Sequence, residues 1–115
     1  DWAVEHRADR KMIGRINLGH YHRGDHRADL GYAYNRRYWG QGYATEAARA
    51  VIDFAFGSLG LNRVGAVVLP DNVGSITVLT RLGFQQEGVQ RQFTQIRGRP
   101  EDLLCFSLLR AEWLP

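Results

Sequence analysis

The chain is poor in cysteine, methionine and proline: its 115 residues include one cysteine, one methionine and three prolines. A lone Cys105 excludes an internal disulfide and a thiolate metal cluster, which fits a reducing compartment, the cytoplasm. We expect it as a buried strand thiol. No apolar run approaches the roughly 18 to 20 residues of a membrane span, so no membrane partner is expected. Charge of one sign is also scarce. The formal balance is only +3, carried almost wholly by arginines scattered along the chain, which argues against a nucleic-acid surface. The chain opens on Asp1 rather than methionine, and nothing near it resembles a signal or transit peptide. One domain spanning 1–115 is the natural reading of this length, with its natural start expected to be missing.

What is present centres on Arg37-Tyr38-Trp39-Gly40-Gln41-Gly42-Tyr43-Ala44-Thr45-Glu46. Before it, Ala28 to Tyr34 reads as a strand; after it, Ala44, Ala47, Ala48, Val51, Ile52, Ala55 and Phe56 recur at helical spacing. A glycine-bearing turn therefore joins a strand end to a helix start. The first turn of a helix has N–H groups without intrahelical partners and a partial positive charge, and glycines let an anion come close to that backbone. Physically this is a phosphate cradle. The dinucleotide fingerprint does not fit, because Thr45 stands where its third glycine or alanine belongs. The P-loop does not fit either, since the chain has no Gly-Lys-Ser/Thr triplet.

Around this junction the pattern predicts strands over Trp2 to Glu5, Met12 to Leu18 and Asp29 to Tyr34, pairing antiparallel, with charged turns over Arg7 to Lys11 and Gly19 to Arg27. The main helix runs from Tyr43 to Phe56 and ends in Gly57 to Gly60, where a glycine can take the left-handed turn. Its alanines let it lie close to the sheet. Asn62 to Leu69 reads as a buried strand reached by a right-handed crossover, parallel to Asp29 to Tyr34. A second helix follows, with Asn72 as N-cap, Ile76, Val78, Leu79 and Leu82 as its apolar positions, and Gly83 as its stop. Phe84 to Val89, Phe93 to Ile96 and Asp102 to Leu109 supply the last strands, with Arg97-Gly98-Arg99-Pro100 as the turn between the final two.

His20, His22 and His26 invite a zinc reading, but no helical histidine pair, cysteine or orienting carboxylate pattern accompanies them in the sequence. A solvated hairpin tip is the expectation, and no metal is expected. An acceptor-binding edge is the alternative.

Two motifs carry a family resemblance that covers the chain nearly end to end. Arg37, Gly40 and Gly42 match Arg/Gln-x-x-Gly-x-Gly/Ala, which resembles the coenzyme A pyrophosphate loop of the GNAT superfamily of acyltransferases. The continuation through Ala47 looks like the RimJ/RimL-type branch of ribosomal-protein N-terminal acetyltransferases. Asn72, Ser75, Leu82, Gly83 and Phe84 match that branch's Asn-x-x-Ser and Leu-Gly-Phe. The resemblance implies an α/β (α+β) fold: a mixed, mostly antiparallel sheet with a central parallel pair and packed helices. It also implies that the family's first strand and two helices, which help wall the acceptor site, are absent here. If the chain is whole, an uncovered edge and apolar face near Trp2 and Trp113 lead us to expect a homodimer; if it is a trimmed piece, the natural N terminus is expected to complete the acceptor side.

The implied donor is acetyl-coenzyme A. Its phosphates would meet the N–H groups of Gly40, Gln41 and Gly42 within the loop Arg37, Tyr38, Trp39, Gly40, Gln41, Gly42 and Tyr43, with Arg37 supplying charge. Its pantetheine arm carries amides and could pair with the backbone of Tyr32, Ala33 and Tyr34, left exposed by a splayed strand end. A backbone N–H of that strand could hold the oxyanion. The resemblance gives Ser75 the role of donor to the leaving thiolate, and Asn72 that of orienting the loop or the coenzyme. Other members of the superfamily use a tyrosine, and Phe106 stands at the nearest matching position. For the base that takes the acceptor's proton, Asp29 is the first candidate, with Glu87 or a water chain as alternatives. The glutamate of this branch falls on Thr94. The expected function is acetyl transfer to a primary amine, foremost a protein or peptide N terminus. A small-molecule amine acceptor, such as a polyamine or aminoglycoside, and a non-catalytic coenzyme A-binding module are the alternatives.

Overall fold

The structure is a computed structural model that describes residues 2–6, 11–34 and 42–113, with side chains over 16–32 and 42–113. The turn read over 7–10 and the cradle residues Arg37, Tyr38, Trp39, Gly40 and Gln41 lie outside these described residues. In chain order the elements are β1 (Trp2–His6), β2 (Lys11–His22), β3 (Arg27–Tyr34), α1 (Tyr43–Gly57), β4 (Arg63–Val68), α2 (Val73–Arg81), β5 (Gln85–Ile96), β6 (Arg99–Leu109) and α3 (Arg110–Trp113).

Alternation along the strands builds one sheet of order β1-β2-β3-β4-β6-β5. All neighbours are antiparallel except β3 and β4, which run parallel as a crossover through α1 requires. Even-numbered positions on the inner strands, Ala28, Leu30, Val64, Ala66, Phe106 and Leu108, turn to one face and are buried there. Both longer helices cover that face. The stripe Ala44, Ala48, Val51, Ile52, Ala55 and Phe56 of α1 joins Val78 and Leu79 of α2 in the same cluster. Ile52 and Phe56 have no exposed surface, and emptying such a site, as in Ile52→Ala, costs about 2 to 5 kcal/mol. The odd-numbered face is less covered among the described residues: Asp29, Val67 and Leu109 are exposed on it, while Gly65 and Ser107 are buried.

Several boundaries differ from the sequence reading, each for a local reason. Strand β2 runs on to His22, and a register shift after Gly19, with His20 at a φ of 48°, lets it do so before a turn over 23–26. Phe84 to Val89 and Phe93 to Ile96 are not two strands but one, β5, bulged between Gln90 and Thr94. The Asp102 carboxylate accepts from the Gln92 N–H at 2.8 Å and so holds the bulge without breaking the strand. The turn into β6 is only Arg97-Gly98, both left-handed, the tight geometry favoured between antiparallel strands. Cys105 is half-buried rather than buried, since it faces the open side of the sheet. Trp113 is half-buried: it sits on α3, an element not foreseen, packs against the core, donates from Nε1 to Asp53 at 2.7 Å and lies 5.5 Å from the Arg49 guanidinium.

Candidate active site

The parallel seam is short. β3 and β4 are paired over three rungs, Arg27 with Arg63, Ala28 with Val64 and Asp29 with Gly65. Beyond Asp29, β3 continues to Tyr34 against β2, and beyond Gly65, β4 continues to Val68 against β6, so the two strands part like a V. The expected parallel pairing along the whole of Asp29 to Tyr34 is thus confined to its root. The opening is a cleft of about 290 Å³ walled by residues 30–32 of β3, residues 66–69 of β4 and its following turn, and Asn72, Ser75 and Leu103.

The first turn of α2 closes the helix side of that cleft. Asn72 caps it, its Oδ1 accepting from the Ser75 N–H at 3.1 Å, so the cap expected of Asn72 is present. This bond also fixes where Ser75 sits, three residues into the turn and only 5% exposed. Across the cleft the Tyr32 phenol lies 2.8 Å from Ser75 Oγ and donates to Ser75 O at 3.2 Å. Burial pushes the Tyr32 phenol above its usual range against a smaller, opposite pull from the Ser75 hydrogen bond, so it remains a neutral donor.

The first turn of α1 is built differently. Gly42 is its N-cap in a left-handed conformation, φ 80°, and as a glycine it has no side chain to cap the turn. Gly42 borders a second hollow of about 250 Å³ with Ala44, Thr45, Gly74, Thr77, Val78 and Arg81. A helix start and a guanidinium thus border one hollow, an arrangement suited to an anion. The turn from Gly74 to Ser75 separates the two hollows, so an elongated molecule could occupy both.

Comparison with known proteins decides what kind of domain this is. Residues 1–85 match the family model described as an acetyltransferase (GNAT) domain. The chain belongs to the GNAT acetyltransferase family. It is similar to an uncharacterized N-acetyltransferase, p20, of Bacillus licheniformis, 41% identical over 103 residues, covering 90% of this chain and 58% of that protein. It is also similar to the [ribosomal protein uS5]-alanine N-acetyltransferase of Escherichia coli, 31% identical, over 93% of this chain and 56% of that one. Among solved structures it resembles the ribosomal-protein-S5-alanine acetyltransferase of Vibrio fischeri, with a TM-score of 0.90 at 30% identity, over 98% of this chain and 62% of that one. A spermidine N-acetyltransferase of Vibrio cholerae shares the fold, TM-score 0.88, at 23% identity. The chain spans 58% to 62% of the length of the first curated relatives it matches.

Within this GNAT domain the residues singled out from sequence separate into groups. Ser75, Asn72 and Tyr32 come together on the cleft, and Ala33 and Tyr34 follow on the diverging part of β3, their backbone paired with Arg15 and Gly14 of β2. Gly42 and Tyr43 open α1. Asp29 stands apart, at the last parallel rung on the open face, with its Oδ2 2.9 Å from His20 Nδ1. Its Oδ1 lies where a Cβ on Gly65 would come within 2.8 Å, so the bare backbone there makes room for the carboxylate. Glu87 is bound to the Arg63 guanidinium and accepts from Ser107 Oγ at 3.2 Å; the Arg63 bond holds its pKa below the usual carboxylate range. Thr94 is paired with Glu101 across β5 and β6, and Phe106 is buried in the core. The histidines do have carboxylate neighbours, which the sequence reading missed: Asp29 for His20, and Asp25 for His22 at 3.4 Å. Among the described residues no three His, Cys, Asp or Glu side chains gather to hold a metal, and no helix is long and apolar enough to cross a membrane.

Sequence reasoning also passed over the Tyr32 side chain and Arg81. The signal for Arg81 was its spacing from Thr77, four residues on the same helical face. No sequence signal tied the Tyr32 phenol to Ser75, because they are 43 residues apart.

Proposed function

We propose that this domain transfers an acetyl group from acetyl-coenzyme A to a primary amine, with a protein or peptide N terminus as the acceptor. The observation that carries the reading is the V between β3 and β4 with Ser75 on its wall and the α1 start beside it. The parted strands expose backbone edges to which an amide-bearing arm can hydrogen-bond as an added strand would. The left-handed glycine start of α1 and the nearby Arg81 suit the phosphates at the arm's other end. In the reaction the amine nitrogen bonds to the thioester carbon, the carbon–sulfur bond breaks, and its electron pair goes to sulfur. Ser75 Oγ, on the wall of the cleft, is the hydrogen-bond donor to that sulfur. The amine must first lose a proton. Asp29 is our candidate, and Glu101, set opposite Thr94, is the second carboxylate to test; Glu87 is a weaker base because Arg63 and Ser107 hold it ionised.

The protein N terminus is favoured over a small amine because relatives at 30% identity or more include enzymes named for a ribosomal-protein alanine, whereas the likeness to the spermidine enzyme is one of fold. Free-thiol release from acetyl-coenzyme A is the test, measured with N-terminal peptides, polyamines and aminoglycosides. Turnover with peptides alone supports the acceptor named; turnover only with a small amine replaces it; coenzyme binding with no turnover for any amine leaves a binding module. In an active enzyme, loss of the rising limb of the pH–rate profile in Asp29→Asn or in Glu101→Gln identifies the base.

A further inference from the structure

We infer that Tyr32 is a positioning residue for the leaving-group donor: its phenol, 2.8 Å from Ser75 Oγ, turns the serine's one proton into the cleft. This rests on the acetyl-transfer reading and adds to it a side-chain role for a residue so far considered only for its backbone.

Hydroxyls in α2 have an easier place to put their protons. Thr77 donates to Val73 O and Thr80 to Ile76 O, both at 2.8 Å, so each proton is spent on the helix that carries it. Ser75 differs: its Oγ meets the Tyr32 phenol instead. Two arrangements of the two protons are open to this pair. In the first, Ser75 Oγ–H donates to the phenol oxygen and the phenol donates to Ser75 O at 3.2 Å. In the second, the phenol donates to Ser75 Oγ, and the serine proton is left to point at whatever occupies the cleft. Moving from one to the other takes only rotation about two C–O bonds. Negative charge growing on a sulfur in the cleft favours the second arrangement, and a hydroxyl that already accepts a hydrogen bond is the better donor. The phenol stays neutral throughout, as its burial favours. No proton leaves the pair; the one that ends on sulfur comes from the attacking nitrogen. Tyr32 thus acts through Ser75.

A double-mutant cycle on thiol release tests this, with coenzyme affinity measured by calorimetry. Tyr32→Phe should lower kcat about tenfold and leave coenzyme affinity within about twofold, as expected for one lost hydrogen bond that matters in the transition state. In a Ser75→Ala background the same change should have no further effect on kcat. An equal loss in both backgrounds overturns the proposal, because a Tyr32 that merely shaped the cleft would act with or without the serine. If Tyr32→Phe does not fold, 3-fluorotyrosine at position 32 keeps the shape and lowers the phenol pKa. The alkaline limb of kcat should then move to lower pH, and an unmoved limb overturns the proposal. A wild type that binds the coenzyme but turns over no amine overturns the reading of function and this inference with it, whereas an active wild type with additive variants overturns only the inference.

Discussion

Two helices begin beside the two hollows, and they begin in opposite ways. The first turn of α2 is closed by Asn72, whose side chain takes up the Ser75 N–H; the first turn of α1 starts at a left-handed glycine, which has no side chain of its own to cap it. A capped start cannot also serve an anion through the same N–H, so in the proposed function α2 contributes a held hydroxyl and α1 contributes the field of its terminus. Under that proposal binding and chemistry are divided between neighbouring helices, and each should be weakened without the other.

Removing the hydroxyl should have the largest effect. Ser75→Ala is expected to lower kcat about 100-fold, the usual scale for one donor aimed at developing charge, with coenzyme affinity nearly unchanged. Equal losses in kcat and affinity would erase the division between the helices. Gly42→Ala tests the other start. A Cβ there meets nothing within 4 Å, so its cost is the φ of 80° itself, about 1 to 2 kcal/mol of stability by thermal melting. Coenzyme affinity should fall about tenfold with kcat at saturation retained. Asn72→Ala should cost about 1 kcal/mol through the lost cap, and it should lower kcat more than affinity because it frees the turn that carries Ser75. An effect confined to melting would mean the cap serves stability alone. The smallest change is expected for Arg81→Gln, about threefold weaker coenzyme binding at low salt and less at high salt, the behaviour of an exposed charge near phosphates. Insensitivity to salt would remove Arg81 from the anion site.

Much of this division could be read in the sequence because its signals are local. Gly42 before an alanine stripe and Asn72 three residues before Ser75 are spacings within one turn, and the structure places both at helix starts. The single β5 was not legible, because its continuity depends on Asp102 of the next strand holding the Gln92 N–H. The placement of Trp113 likewise involves Asp53, 60 residues away. The Tyr32–Ser75 pair depends on how far β3 and β4 diverge, and the length of that shared seam has no residue signature. The polar spacing around His20 suggested a free tip, yet Asp29 reaches it only because the β2–β3 register brings Gly19 and Asp29 side by side.

The three-rung seam also has a mechanical consequence. On one side of it lies the meander β1-β2-β3, on the other the three strands β4-β6-β5, in which β6 returns between its two predecessors, each group internally antiparallel along most of its length. The sheet is therefore two stiff plates hinged at Arg27 to Asp29, with α1 lying across the joint. A molecule bridging the open end of the V would act as a clasp, so occupancy should slow the exchange of backbone amide hydrogens on both plates together, far beyond the atoms it touches.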